Sequence, residues 1–487
     1  VAGVSTRFKT FFRLSPAEHL NTSCFGVRQG EVLKRADVNF WRLTPFLKER
    51  FAHALFTPVA FGEVVITVQY GCSALAKAEP PGVPILRMNN LQDDGWNLSD
   101  LKYIELSENH LETYRLYPGD IIFNRTNSKE LVGKCEVFRE TGDWVFASYL
   151  IRVRTNDNQL DPQFASDFLS TYTGRLQIDR LSRQIIGMTN INAEEIREIL
   201  IPLPPLPKQH ELVAAMDEAR SQRRQKLAQA DALLSSLDDY LLKTVGLDIK
   251  TPQRKVFAVA TRETRGRVDV DFHSLKARTI RQGIEHGIYQ STSIQELCEY
   301  AVTGFAAGKA DQAFDFEKGV PHLRPLNLNI YGDISIEPTK FVPRDSVKEN
   351  NWCQEGEVLF NNTNSTEMVG KSSVFDLDQP CACSNHMTRL RTKPNVNPYY
   401  LAILFNALRR TGYLGILSTN FNNQAGINTQ TLLQLKVPCP PKEVQDSIVA
   451  EIQHRREEAR RLRTEAETGW QNAKQWFEEQ LMGAGPR

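Results

Sequence analysis

Four kinds of short motif have the side-chain types for chemistry, and none completes a site. Gly370-Lys371-Ser372 has the ending of a phosphate-binding loop, in which backbone N–H groups and a lysine cradle phosphate oxygens. Such a loop needs a glycine five residues before Gly370, where Ser365 stands, and an earlier near-copy, Gly133-Lys134-Cys135, lacks the hydroxyl. Asn397-Pro398-Tyr399-Tyr400 is similar to the N-P-P-Y tetrad of amino-methyltransferases. No glycine-rich turn for S-adenosylmethionine precedes it, and Asn before Pro marks a helix start equally well. Asp100-Leu101-Lys102 and Asp248-Ile249-Lys250 hold the acidic-x-Lys piece of many nucleases, a triplet common by chance. Cys381, Cys383 and His386 form a metal-like cluster without an evident fourth ligand, and alternation along a strand explains them as well. No Ser/His/Asp or Cys/His constellation stands out. The expectation is a chain with no catalytic residues and no metal site.

What remains is a polar block that occurs twice. Gly119 to Phe138, GDIIFNRTNSKELVGKCEVF, lies opposite Gly356 to Phe375, GEVLFNNTNSTEMVGKSSVF, at an offset of 237 residues. Twelve of these twenty positions are identical, where composition alone would give roughly one or two. At the same offset Pro84, Leu86, Arg87, Asn90 and Leu91 recur as Pro321, Leu323, Arg324, Asn327 and Leu328, and Arg152 and Arg154 recur as Arg389 and Arg391. RADVNF, from Arg35 to Phe40, echoes RVDVDF, from Arg267 to Phe272. The chain is therefore a duplication.

Each copy closes on a proline step. Pro202, Pro204, Pro205 and Gln209 match Pro438, Pro440, Pro441 and Gln445. The prolines favour extended backbone and forbid a helix through them. A helix then starts. From Lys208 to Lys243 there is no Gly or Pro, and Met216, Ala219, Arg223, Leu227, Ala230, Leu234, Leu237 and Leu241 keep 3-4 spacing. From Lys442 to Leu481 a poorer stripe runs through Ile448, Ile452, Ala459, Leu462, Ala466, Ala473, Phe477 and Leu481. Each helix would be about 50–60 Å long. Alone it would leave its stripe in water, so the spacing predicts that the two pair as an antiparallel coiled coil.

The modules between read as mixed α/β. Val64 to Thr67, Leu150 to Arg154 and the repeated D/E-x-x-F-N runs are short, β-rich and turn-bounded. Asp161-Pro162 and Asn397-Pro398 read as N-caps with proline at the first helical position. The expected class is α+β: two repeated mixed α/β domains separated by two long helices. The expected boundaries are 1–205 and 248–440 for the modules, 206–247 and 441–487 for the helices.

Composition excludes less. No run of about 18 apolar residues occurs, which predicts no membrane span. Val1 to Thr10 lack the long apolar stretch of a secretory signal, and the eight cysteines have no framework spacing, so a reduced, cytoplasmic setting is expected. The net charge is +1, distributed as +5 over 1–60, −6 over 61–200, +4 over 201–293, −1 over 294–436 and −1 over 437–487. Neither module is basic overall, so contact with a polyanion must come from locally clustered cations and amides.

At this point the chain resembles the specificity subunits of type I restriction-modification systems. The resemblance rests on the twice-repeated G-D/E-x-x-F-N-x-T-N-S…V-G-K block and on the two I/V-P-x-P-P…Q steps into long helices, and it spans nearly the whole chain. It implies that each module is a target recognition domain reading one half of a bipartite, asymmetric site in double-stranded DNA. It implies helices that set the spacer and dock two methyltransferase subunits, with S-adenosylmethionine bound by those partners and none in this chain. Motor-nuclease subunits would complete the complex. Departures are Cys439 where the first step has Leu203, the weaker second stripe, and a basic segment before Arg35 outside the repeat.

On that reading, candidate DNA contacts in the repeated block are Arg125, Asn127, Lys129 and Lys134, with Asn362, Asn364 and Lys371 in the second copy. A Thr-Asn-Ser turn could equally be a structural loop, since both copies keep it. The segment before each proline step differs between copies and suits specificity: Arg180, Arg183, Gln184 and Asn190 against Asn420, Asn422, Asn423 and Gln424. Arg reads guanine with paired hydrogen bonds, and Asn or Gln reads adenine. The alternatives are a specificity-like subunit of another DNA-defence or modification machine, a stand-alone methylase or nuclease, and a scaffold that never touches DNA.

Overall fold

A computed structural model describes residues 37–92, 95–185, 187–247, 257–260, 264, 269–308, 319–337, 339–421 and 424–483. The chain divides into two compact units, Val1–Ala228 with Arg463–Arg487, and Gln229–Leu462. The basic segment before Arg35 lies outside the described residues, as do Asp248 and Lys250. Among the described residues, no helix is long and apolar enough to cross a membrane.

In the first unit the repeated block supplies one inner strand and one edge strand of a four-stranded antiparallel sheet. Its strand order is Val65–Tyr70, Leu150–Thr155, Ile121–Asn124, Cys135–Val137. Side chains alternate across a strand, and Ile121 and Phe123 enter one core while Ile122 enters another. The first core is closed by Phe164 and Phe168 of the helix Pro162–Ser170. Asp161 caps that helix by accepting from Phe164 N at 2.9 Å. A second sheet runs Val145–Phe146, Val83–Leu86, Lys102–Ile104, and a third runs Arg183–Ile185, Met188–Asn190, Thr126–Asn127. Pro58–Ala60 pairs with Leu200–Pro202, the first half of the proline step.

The second unit repeats these four sheets. Its four-stranded sheet runs Cys298–Thr303, Met387–Thr392, Val358–Asn361, Ser372–Val374. Three-stranded sheets run Lys340–Pro343, Gly319–Leu323, Ala382–Cys383 and Thr363–Asn364, Gln424–Gly426, Thr419–Phe421. Ser291–Ser293 pairs with Lys436–Pro438. Alternation is kept: Val358 and Phe360 enter one core, Leu359 another. The N-P-Y-Y run is the start of the helix Pro398–Arg410. Asn397 accepts from Tyr399 N at 2.9 Å, and the buried Tyr400 hydroxyl donates to the Pro438 carbonyl at 2.8 Å.

Many identical residues of the two copies hold backbone. Arg87 N and Arg324 N each donate to the side chain three residues on, Asn90 or Asn327, at 2.9 Å. The strand arginines pair differently in the two copies: Arg154 with the buried Asp120 at 2.7 Å, and Arg389, the counterpart of Arg152, with the buried Glu357 at 3.2 Å. The RADVNF and RVDVDF echoes are helix starts. Asp37 caps Val38–Ala52, and Asp269 caps Val270–His273.

The central helix spans Leu206–Thr244 and the last helix Lys442–Met482. Both contribute to each unit. In the first, Leu212 and Met216 of the central helix and Trp470, Phe477, Leu481 and Met482 of the last enter one core. Phe477 lies 5.5 Å from Phe164 between ring centres. In the second, Leu237, Leu241, Leu242 and Val245 join Ile448, Val449 and Ile452, while Ala230, Ala459 and Leu462 form a small cluster of their own. Polar pairs between the helices follow falling against rising numbers. Arg223 meets Glu467 and Lys226 meets Glu465 in the first unit; Arg455 meets Ser236 and lies over Tyr240 in the second. Exposed pairs of this kind contribute about 0–1 kcal/mol, whereas each fully buried large apolar side chain contributes roughly 1.5–3 kcal/mol. The stripes therefore carry the stability.

The repeated glutamine explains the proline step. Gln209 is fully buried; it accepts from Asp161 N at 2.8 Å and donates to the Pro204 and Gln159 carbonyls at 2.8 Å. Gln445 does the same with Asn397 N at 2.9 Å and the Pro440 carbonyl at 2.8 Å. One amide thus ties the first turn of a long helix to the cap of a module helix. Gln445→Leu would leave a buried N–H and a carbonyl without partners, at about 1–3 kcal/mol each. We expect its urea midpoint to fall while hydrogen exchange in Ile121–Asn124 stays at the wild-type rate; an unchanged midpoint would show that the amide is dispensable.

Candidate functional site

Two segments about 60 residues apart in sequence come together in each unit. In the first, Thr126–Asn127 forms an edge of the third sheet. Thr189 pairs with Asn127, Asn190 with Thr126, and Arg183 with Asn190. The repeated block and the variable segment are thus one sheet, with Arg183 and Gln184 exposed on its other edge strand. In the second unit Asn364 pairs with Ala425, and Thr363 and Thr419 both pair with Gly426.

The loop that carries this strand is built by the residues both copies share. Asn124 Nδ2 donates to the Leu131 carbonyl at 3.2 Å, and Asn361 Nδ2 donates to the Met368 carbonyl at 2.9 Å. Gly133 and Gly370 follow at φ +80° and +90°, a region open to glycine without strain. Ile178 and Leu414 stand where their Cβ would be. In this loop Asn127 and Asn364 each accept from the next N–H, of Ser128 at 2.8 Å and of Ser365 at 2.9 Å. Asn127 also points its amide nitrogen at Met88 Sδ, 3.3 Å away.

The candidate residues fall into distinct settings. Arg125 lies with its guanidinium 4.7 Å from the Tyr70 ring centre and 3.4 Å from Asn190 Oδ1. Arg183 pairs with Glu195 at 2.9 Å yet keeps 60% of its side chain exposed. Gln184, Lys129 and Gln424 are exposed, and Lys134 is half-buried. Arg180 is on the helix Tyr172–Leu181, over the Phe40 ring at 4.6 Å and 3.4 Å from Thr44 Oγ1, so it braces the helix Val38–Ala52. Asn420 has a described backbone, paired with Ala425, while its side chain and all of Asn422 and Asn423 lie outside the described residues.

Asn362 and Lys371 are placed differently from the expectation that they face DNA. Asn362 is buried and donates to Thr388 Oγ1 at 3.0 Å. Lys371 is buried, and its Nζ donates to the carbonyls of Leu328 at 2.6 Å and Pro325 at 2.8 Å. Burial pulls its ammonium below the ordinary lysine range, with the neighbouring Arg409 charge acting in the same direction. A cation spent on two buried carbonyls stitches a loop. Tyr70 is the residue the sequence did not single out: it lies at the end of a strand, 40% exposed, and its hydroxyl accepts from Ala193 N at 3.0 Å.

Among the described residues no group of three or more His, Cys, Asp or Glu side chains could hold a metal ion. Cys381 and Cys383 are buried in an apolar cluster with Leu323, Leu359 and Met387.

A profile of the type I restriction modification DNA specificity domain matches twice, over residues 66–229 and 289–459, more than half of the chain. The chain belongs to the type I restriction-modification DNA specificity family. Curated members similar to it include the type I restriction enzyme EcoKI specificity subunit of Escherichia coli (strain K12), 26% identical over 169 residues, 34% of this chain and 36% of that one. The StySPI specificity subunit of Salmonella potsdam is 26% identical over 152 residues, 30% and 33% of the two chains. These alignments span about a third of the curated relatives' length. A solved structure from work on complex assembly and conformational transition of the type I R-M system shares the fold, with a TM-score of 0.54 and 14% identity over 87% of this chain and 95% of that one. The two profile matches each end inside a long helix, so the matched domain includes the proline step and the first part of the helix that follows it.

The two lysines of the repeated loops separate loop building from surface charge. Lys371→Ala should lower stability by about 1–3 kcal/mol by stranding two carbonyls, while Lys129→Ala should stay within about 0.5 kcal/mol. Equal effects in urea titrations would contradict this placement.

Proposed function

We propose that this chain is the DNA sequence-recognition subunit of a type I restriction-modification complex, with each module reading one half of a bipartite, asymmetric site. The observation that carries this reading is the contrast within the small sheets. Both copies keep the loop-building asparagine, glycine and turn residues, while the hairpins beside them hold Arg183, Gln184 and Asn190 in one and Asn420 and Gln424 in the other. A shared scaffold with different polar side chains suits two different half-sites. Phosphate contacts by Lys129 and Lys134 would position a module, and Arg125, Asn127, Arg183, Gln184 and Asn190, with Asn364 and Gln424 in the second copy, would meet base edges.

The division into modules 1–205 and 248–440 with helices 206–247 and 441–487 belongs to this reading. The helices act as an antiparallel coiled coil that sets the spacer and docks methyltransferase subunits. Supporting this, the Arg223–Glu467, Lys226–Glu465 and Arg455–Ser236 pairs all run in opposite senses. Chemistry resides in the partners: S-adenosylmethionine on the methyltransferase subunits and cleavage on motor-nuclease subunits, in the cytoplasm. This chain contributes discrimination and no turnover.

The test is to reconstitute the complex with the host's methyltransferase subunits and map the methylated sites. A split site with a fixed gap is expected, and one contiguous site, or methylation by this chain alone, would overturn the proposal. Gln184→Ala should change preference within one half-site only, whereas a uniform affinity loss over all sequences would make it a positioning residue. A seven-residue insertion in each helix, after Ala228 and after Leu462, adds about 10 Å. It should widen the gap by about 3 base pairs on a duplex repeating every ~34–36 Å; an unchanged gap would contradict the spacer role.

A further inference from the structure

We propose that Arg125 reads a guanine in the half-site of the first module, and that Tyr70 is the positioning residue that holds its guanidinium flat for that contact. This rests on the DNA-reading function argued above.

Arg125 leaves the four-stranded sheet at Asn124 and enters the small sheet at Thr126, and its backbone is fixed on both sides. Its N–H donates to the Tyr149 carbonyl at 3.1 Å, and its carbonyl accepts from Ile191 N at 3.0 Å. Its side chain has no comparable hold. The Nη1 contact to the Ser148 carbonyl and the Nη2 contact to Asn190 Oδ1 are both 3.4 Å, at the weak end of hydrogen bonding. Nε is buried without a hydrogen-bond partner, and among the described residues no carboxylate is paired with it.

Other arginines of the unit are committed. Arg87 pairs with Asp100, Arg154 with Asp120, and Arg50 with Glu478. Arg50 and Arg154 also lie over rings, but Arg125 does so without a carboxylate partner among the described residues, and the Tyr70 ring orients the plane of its guanidinium without consuming its N–H groups.

The ring is itself held. Ala193 N, at the first turn of the helix Ala193–Arg197, donates to the Tyr70 hydroxyl, and Tyr70 remains 40% exposed. A planar fork with two weak bonds, a fixed backbone and an open side matches the two adjacent acceptors of guanine, O6 and N7. The second copy lacks the device. Asn362 stands at the Arg125 position and is buried on Thr388, and Thr303 stands at the Tyr70 position. The guanine contact is therefore a property of one half-site.

The test uses the reconstituted complex and a DNA pool randomised across both half-sites. Arg125→Ala and Tyr70→Leu should each relax one guanine position of one half-site, by on the order of tenfold or more, and leave the other half-site unchanged. Tyr70→Phe, which keeps the ring face, should retain the preference, and Arg125→Lys, which keeps the charge without the fork, should lose it. A uniform loss of affinity with Arg125→Ala would make Arg125 a phosphate contact and overturn the proposal. Full discrimination with a folded Tyr70→Leu, judged by its melting temperature, would overturn the positioning role; if that variant does not fold, Arg125→Lys against wild type decides. Should the wild-type complex select no split site, the function itself fails, a result distinct from either of these.

Discussion

The burial of both long helices in each unit is the constraint on which the rest of this molecule depends. The central helix puts Leu212 and Met216 into the first core and Leu237, Leu241 and Val245 into the second. The last helix does the reverse, with Ile448 and Ile452 in the second core and Phe477 and Leu481 in the first. Neither helix would be stable in water with its stripe exposed, and neither core is complete with one helix alone. A duplicated module thus becomes a pair of units that each need residues from two distant stretches of chain.

Within each unit the duplicated residues do the same work. Asn124 and Asn361 close a loop, and Gln209 and Gln445 tie a helix start to a module cap. These are buried polar contacts whose loss leaves partners unsatisfied, so they tolerate little change. The exposed hairpin side chains carry no such obligation. This separation of buried scaffold from exposed side chains is what allows one fold to carry two different polar surfaces.

Much of this was legible in the sequence, and the reasons are local. The proline steps, the gap-free helical stretches and the Asp161 and Asn397 caps each rest on signals a few residues apart, and the helices begin and end within a few residues of where spacing places them. The echo of RADVNF in RVDVDF is visible as a repeat, but the caps that Asp37 and Asp269 form lack the Glu or Gln three residues on that would mark them in the sequence. Identity between copies marked Asn362 and Lys371 as neighbours of the site without saying that they are buried, because a lysine bonded to two carbonyls has the same letter as one facing solvent. Arg180 has the right chemistry for a base contact and is instead spent on Phe40 and Thr44 of a helix over 120 residues earlier. The pairing of Thr126–Asn127 with Met188–Asn190, and the stack of Arg125 on Tyr70, join residues about 55 to 65 apart and leave no periodic trace.

Hydrogen exchange on a chain ending at Leu462 addresses the shared burial of the helices most directly. With Trp470, Phe477 and Leu481 removed, amides of Ile121–Asn124 and Leu150–Thr155 should lose most of their protection while those of Val358–Asn361 and Met387–Thr392 keep theirs. Wild-type protection in both pairs of strands would contradict the account.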